Sequence, residues 1–200
     1  MPNRFLSLSA LFLLLLALNV SSCASKIKSN GGNTSQAGVV PQDQSKHETA
    51  KSLLPRPTGF VNDYQNVFSV EDKQRLESLL TELKNKADIE FDVVTIETTG
   101  SQPIFDYSLA LAREWGVGSR DNYKGGGLLL LLAIKDRKWR LQVSRGLETD
   151  LPDNVCKQLG DESEPLYRQG NYAAGITKYA KALISRLENK RGFQLNVEPT

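Results

Sequence analysis

At 200 residues, with 40% hydrophobic and 24% charged side chains, the chain has the make-up of an ordinary globular protein, and one domain is expected. Lys and Arg number 25 against 23 Asp and Glu, a net charge of +2 that becomes +1 once a leader carrying Arg4 is removed, so the dense cationic face needed to bind nucleic acid is missing. Cys23 and Cys156 are the two cysteines and His47 the one histidine, which leaves no zinc-finger or iron–sulfur framework and disfavours a Ser-His-Asp or Cys-His site, because His47 sits among turn-forming residues.

Arg4 opens a thin positive region, and Phe5 to Leu18 is a Leu-dominated apolar stretch too short to span a bilayer in comfort. It ends in Val20-Ser21-Ser22-Cys23, which resembles the lipobox of bacterial lipoproteins. The resemblance implies a signal peptide over 1–22, acylation of Cys23 as the first mature residue, and export to a lipid-anchored, periplasmic or otherwise extracytoplasmic position in the cell envelope. A plain secretory leader with an incidental cysteine is the alternative. With Cys23 acylated, Cys156 has no partner for a disulfide. Residues 23–57 are rich in Ser, Asn, Gly, Gln and Lys and read as a flexible tether. Its root-mean-square reach is roughly 30 Å, which suits a partner in the same membrane.

The folded part is expected over 59–191, with 192–200 a polar tail. Ser69 and Asp72 resemble a capping box, and Leu76, Leu79, Leu80, Leu83 and Ala87 follow the helical period. Ile89 to Thr98 reads as a strand. A helix is expected from Pro103, with an Ile104, Tyr107, Leu111, Trp115 stripe, to Gly116. Leu128 to Ile134 is an apolar run that fits a central strand covered on both faces, and the alternation from Trp139 to Ser144 gives an antiparallel hairpin partner. A short helix starts at Pro152, and a last one at Asn171 carries Tyr172, Ile176, Tyr179, Leu183 and Leu187. The order is helix, strand, helix, strand, strand, helix, helix. A right-handed crossover makes the first two strands parallel, so the expected fold is α/β, a small mixed β-sheet with helices on both faces.

Val61-Asn62-Asp63-Tyr64, Ser69-x-x-Asp72, Trp115-Gly116-x-Gly118, the Gly-plus-Leu strand at 127–134, Arg137, Gly146-Leu147-Glu148 and Gly170-x-Tyr172-x-x-Gly175 come in the order typical of TPM domains, and the chain resembles that family over about 130 residues. The resemblance implies an α/β/α sandwich, usually exported and membrane-tethered. Relatives are tied to photosystem II repair, to receptor accessory roles, and to acid phosphatase activity with divalent-cation binding. Many TPM domains carry Asn or Asp where this chain has Gly126, which weakens a metal ligand at that loop.

Carboxylates gather where loops are expected to meet. Asp63, Asp121, Glu148 and Asp150 are the candidate metal ligands, and without His or Cys nearby they suit a hard cation, Ca²⁺ first, with Mg²⁺ or Mn²⁺ also able to fit. The competing reading is that Asp63 caps a turn, Asp121 is a solvated loop residue and Glu148 binds backbone N–H groups. Arg137 and Arg145 are the candidate phosphate-binding cations; the alternative for them is a solvated hairpin and a charge pair. Established phosphatase nucleophiles are missing: Cys156 has Glu162 rather than Arg six residues on, and Glu90-Phe91-Asp92-Val93 lies at the wrong end of its strand for an aspartyl-phosphate site. Lys135, Arg137, Lys138 and Arg140 make a basic hairpin that suits anionic headgroups or an acidic partner, or else protects a strand edge. Together these readings favour a membrane-anchored, cation-binding module assisting assembly, repair or quality control of a membrane protein complex, with a metal-dependent acid phosphatase as the alternative.

Overall fold

The computed structural model describes residues 54–118 and 125–196, all within the compact unit Ala50–Thr200. The expected leader over 1–22, Cys23, most of the expected tether over 23–57 and Asp121 lie outside the described residues. Among those described, no helix is long and apolar enough to cross a membrane.

Among the described residues nine elements follow one another: β1 (Val61–Asp63), α1 (Val70–Ala87), β2 (Ile89–Ile96), α2 (Ile104–Trp115), β3 (Gly126–Ala133), β4 (Lys138–Val143), α3 (Asp153–Asp161), α4 (Glu164–Arg168) and α5 (Tyr172–Arg191). The strands form one sheet in the order β1-β2-β3-β4. β1 and β3 flank β2 in parallel, and β4 returns antiparallel to β3. The fold is the expected mixed sheet with helices on both faces.

Two elements escape the sequence pattern. β1 has three residues, too few for a period of two to show, and α4 has five, with Pro165 in its first turn. The strands are laid down in one direction from β1 to β3, yet α1 packs on one face and α2 on the other. The two crossovers therefore have opposite hands, and one of them departs from the right-handed rule.

Local chemistry sets the helix ends. Ser69 Oγ accepts from the Asp72 N–H at 3.0 Å and donates to the Asp72 carboxylate at 2.9 Å, so the capping box closes between side chains. Gly116, at φ 73°, closes α2 in the left-handed region that glycine enters without a Cβ penalty.

Alternation in the strands divides the core. Phe91, Val93, Leu128, Leu130 and Leu132 meet Leu76, Leu80 and Leu83 of α1 and Ile176, Tyr179 and Leu183 of α5. The other set, Val94, Ile96, Leu129, Leu131 and Ala133, meets Leu111 of α2.

Candidate functional site

The β3–β4 turn is stitched to the end of β2. Thr99 N–H and Thr98 Oγ donate to the Asp136 carboxylate at 2.9 and 2.8 Å. Those bonds, the Thr99 amide first, hold the Asp136 carboxyl below its usual range. Arg137 follows in the left-handed conformation, φ 52°, which closes the four-residue turn.

Beside this turn, at the carboxyl end of β3, lies a groove of about 280 Å³. Arg137, Lys138 and Arg168 supply its positive charge, and Trp139, Tyr167 and Tyr172 its aromatic wall. Arg137 and Lys138 are exposed and make no salt bridge among the described residues. Arg168 holds Glu164 at 2.9 Å in an exposed pair, worth little to stability and easily exchanged for a ligand anion. Tyr167 stacks on Tyr172 with centroids 6.5 Å apart and meets Trp139 at 6.4 Å. Its ring passes so close to α5 that a Cβ on Gly175 would fall 2.5 Å from it, so glycine at that position makes room for the wall. Tyr167 is 8% exposed, and its buried hydroxyl has no hydrogen-bond partner. Burial pushes its phenol well above the ordinary range, so the hydroxyl stays a donor. A groove in this position matches where open α/β sheets bind ligands.

The structure distributes the residues singled out from sequence as follows. Asp63 is engaged: Oδ1 accepts from the Val67 N–H at 3.1 Å and the Thr95 hydroxyl at 2.5 Å, and Oδ2 accepts from the Phe68 N–H at 3.0 Å. It builds the turn into α1. Asp150 Oδ2 accepts from Arg191 Nε at 2.7 Å, and the same guanidinium reaches the Gly146 carbonyl at 2.6 Å, tying the loop after β4 to the end of α5. Glu148 is exposed on that loop.

The expected convergence of Asp63 with Glu148 and Asp150 is corrected by the register. β1 runs parallel to β2 and sets Asp63 opposite Thr95, near the end of β2, whereas β4 finishes with Val143 opposite Leu128, near the start of β3, on the other edge. Asp121 falls outside the described residues, in the segment joining Gly118 to Gly125. Gly118 lies against Gly127 and Ser144, close enough that a Cβ there would be 2.9 Å from the Gly127 nitrogen. Among the described residues, no three His, Cys, Asp or Glu side chains come together to hold a metal ion, and two of the four nominated carboxylates spend their oxygens on turn amides or an arginine.

Arg137 and Arg145 sit at opposite ends of β4, too far apart to hold one phosphate, and Arg168 is the cation that accompanies Arg137. Cys156 is buried, donates to the Leu151 carbonyl at 3.4 Å, and has its thiol pushed up to about 11 by burial. Asp92 is 4% exposed, with burial first and then Glu90 and Glu77 raising its carboxyl to about 8; neither residue is placed as a nucleophile. Arg168 and Tyr167 belong to α4, whose shortness hid them. The available signal was the Gly170-x-Tyr172-x-x-Gly175 pattern, in which Gly175 marks a close approach without saying to what.

The sequence model of the TPM domain matches residues 61–186. The chain belongs to the TPM domain family. Its TPM domain is similar to the N-terminal domain of a protein from P. gingivalis, solved in solution by NMR, at 31% identity and a TM-score of 0.61, with 70% of this chain and 89% of that one covered. The N-terminal domain of a Corynebacterium glutamicum protein shares the TPM fold at 15% identity and a TM-score of 0.51, covering 67% of this chain and 84% of that one. No curated protein matches the chain.

Proposed function

We propose that the protein is a lipid-tethered TPM module that works by binding, holding an anionic group of a partner in the groove between the β3–β4 turn and α4. The observation that carries this reading is the convergence of Arg137, Lys138 and Arg168 with the rings of Trp139, Tyr167 and Tyr172 on one groove. Cations attract the anion, and the rings take an apolar body attached to it. Such a site suits the anionic end of an aromatic or lipid-like group in a membrane complex. Acylation at Cys23 and a tether reaching roughly 30 Å would keep the domain within range of that complex on the extracytoplasmic face.

Titration of the protein with phenyl phosphate and with benzoate, followed by NMR shifts of Trp139 and Tyr172, tests the groove. Binding should be lost in the double variant R137Q/R168Q and kept in R145Q, which changes a cation at the other end of β4. Equal loss in R145Q would overturn the groove. Steady turnover of p-nitrophenyl phosphate with Ca²⁺, Mg²⁺ or Mn²⁺ would replace the binding reading by the metal-dependent phosphatase. Retention of C23S in the membrane fraction would remove the lipid anchor from the proposal.

A divalent cation forms the second part of the proposal, at the opposite end of β4, where Glu148 is exposed; Asp121, outside the described residues, is the further candidate ligand from the sequence. A cation at a hundredfold excess over its dissociation constant would stabilise the fold by about 2.7 kcal/mol. The melting temperature with millimolar Ca²⁺ should rise by several degrees in the wild type and by none in E148Q; an unchanged wild type withdraws the cation.

A further inference from the structure

The sheet has two edges, and they are finished differently. At β1, Glu77 accepts from the Phe60 and Val61 N–H groups at 2.8 and 2.7 Å, so that edge is occupied from within the chain. At β4 the pattern is open. The Ser144 N–H donates to the Gly127 carbonyl at 2.9 Å, which fixes the alternation of the antiparallel pair: the peptide groups of Lys138, Arg140 and Gln142 face β3, and those of Trp139, Leu141 and Val143 face outward. No bond to those outward groups is made from another element among the described residues.

This edge is recessed. A cavity of about 560 Å³ runs along it beside Phe105 and Leu109 of α2 and Pro152 before α3. A second, of about 300 Å³, continues beside Cys156 and Lys157 of α3 and Tyr179 of α5. The strand edge is thus the floor of a channel with α2 for one wall and α3 for the other. One added strand, at about 4.8 Å spacing, fits such a channel. A second copy of this domain does not, because its own α2 and α3 flank its β4 and would meet these walls.

Charge selects among single strands. The Arg140 guanidinium lies 4.8 Å from the Phe105 ring centroid on the channel wall, and its buried Nε has no hydrogen-bond partner. Glu148 and Asp153 line the channel toward the other end of β4. We infer that the outer edge of β4 is a docking site for an extended peptide segment of a partner protein, added as a fifth strand, with apolar side chains alternating into the two cavities and a carboxylate opposite Arg140. Main-chain bonds to Trp139, Leu141 and Val143 would supply affinity, and the flanking cavities and charges the selection.

The test uses the whole protein and a nine-residue peptide of alternating Val and Thr with one central Glu, capped at both ends. Hydrogen exchange by NMR should show the Trp139, Leu141 and Val143 amides exchanging faster than those of Arg140 and Gln142 in the free protein, and slowing when peptide is added. N-methylation of one alternate set of peptide amides should abolish binding, and methylation of the other set should leave it. Replacing the peptide Glu by Lys should weaken binding about tenfold, a difference that R140Q should erase. Equal protection of all five amides in the free protein, no binding at millimolar peptide, or indifference to which set is methylated would overturn the inference. Protection of the outward amides that rises with protein concentration alone would assign the edge to self-association and overturn the peptide.

Discussion

The two faces of the sheet are built to different standards. The face covered by α1 and α5 is apolar across its centre, from Leu76, Leu80 and Leu83 across Phe91 and Leu130 to Ile176 and Leu183, all essentially without solvent exposure, and the buried Thr95 at its end is satisfied by Asp63. The face under α2 has an apolar centre at Val94, Leu129, Leu131 and Leu111, but around it stand Asp92, Ser108, Arg140 and Gln142. Two long helices exclude water from the first face, and one helix of twelve residues covers the second. Cohesion is therefore concentrated on one side of the sheet and polarity on the other, and the open edge strand β4 lies along the polar side. The lesson is that burial alone does not mark the stabilising residues: neighbours in one strand, pointing opposite ways, have opposite effects.

Phe91 and Asp92 make that comparison within a single peptide unit. Phe91 is completely buried in the apolar layer, and Phe91→Ala should destabilise the protein by about 3–5 kcal/mol through lost transfer energy and the cavity left behind. Chemical denaturation checks it, and a loss below about 1 kcal/mol would mean that the layer collapses around the gap.

Asp92 should show the reverse. Its carboxyl is raised from 3.8 to about 8, by burial first and by Glu90 and Glu77 next, and its Oδ2 has no hydrogen-bond partner. Because the folded value lies above the unfolded one, the folded chain holds the proton more tightly. Its contribution to stability is fully present below about pH 4 and is lost progressively as the pH rises to about 8, on the order of a few kcal/mol in all. Asp92→Asn should flatten that slope, matching the wild type at pH 4 and exceeding it at pH 8 to 9. Parallel stability curves for the two proteins across this range would show that Asp92 ionises without cost.

Much of the apolar architecture was legible in the sequence because it is periodic. The Leu76 to Leu83 stripe, the Leu128 to Ile134 run and the alternation from Trp139 correspond to α1, β3 and β4, and the polarity of the sheet followed from them. β1 was not legible, since Val61-Asn62-Asp63 is a strand only by virtue of pairing with β2. That omission also misled the grouping of carboxylates: without β1, nothing fixed the end of the sheet at which Asp63 lies. The candidate groove was half legible. Arg137 stood out as a cation in a turn, but its companions come from α4 and the start of α5, which only tertiary packing brings to the end of β3. Asp92 was visible as a carboxylate in a strand; its burial depends on how α2 and the β2–β3 pair close over it.

The smallest expected effect separates satisfied polarity from unsatisfied polarity on the α2 face. Gln142 Nε2 donates to Ser108 Oγ at 2.8 Å and to the Phe105 carbonyl at 3.3 Å, and Ser108 Oγ donates to the same carbonyl at 3.0 Å. Unlike Asp92, this network is neutral and its members find partners, so it should stabilise modestly. Ser108→Ala removes an acceptor from the Gln142 amide and a donor from the carbonyl, and should cost about 1 kcal/mol. Gln142→Leu alone should cost a similar amount, because Ser108 is fully buried and loses a donor to its oxygen. Removing both leaves apolar groups facing each other with little left unpaired, so the double variant should lose less than the sum of the singles by about 0.5–1 kcal/mol. Additive losses in that cycle, measured at one pH in the same denaturant, would mean that the two side chains stabilise α2 separately, and the polarity of this face would then be tolerated rather than organised.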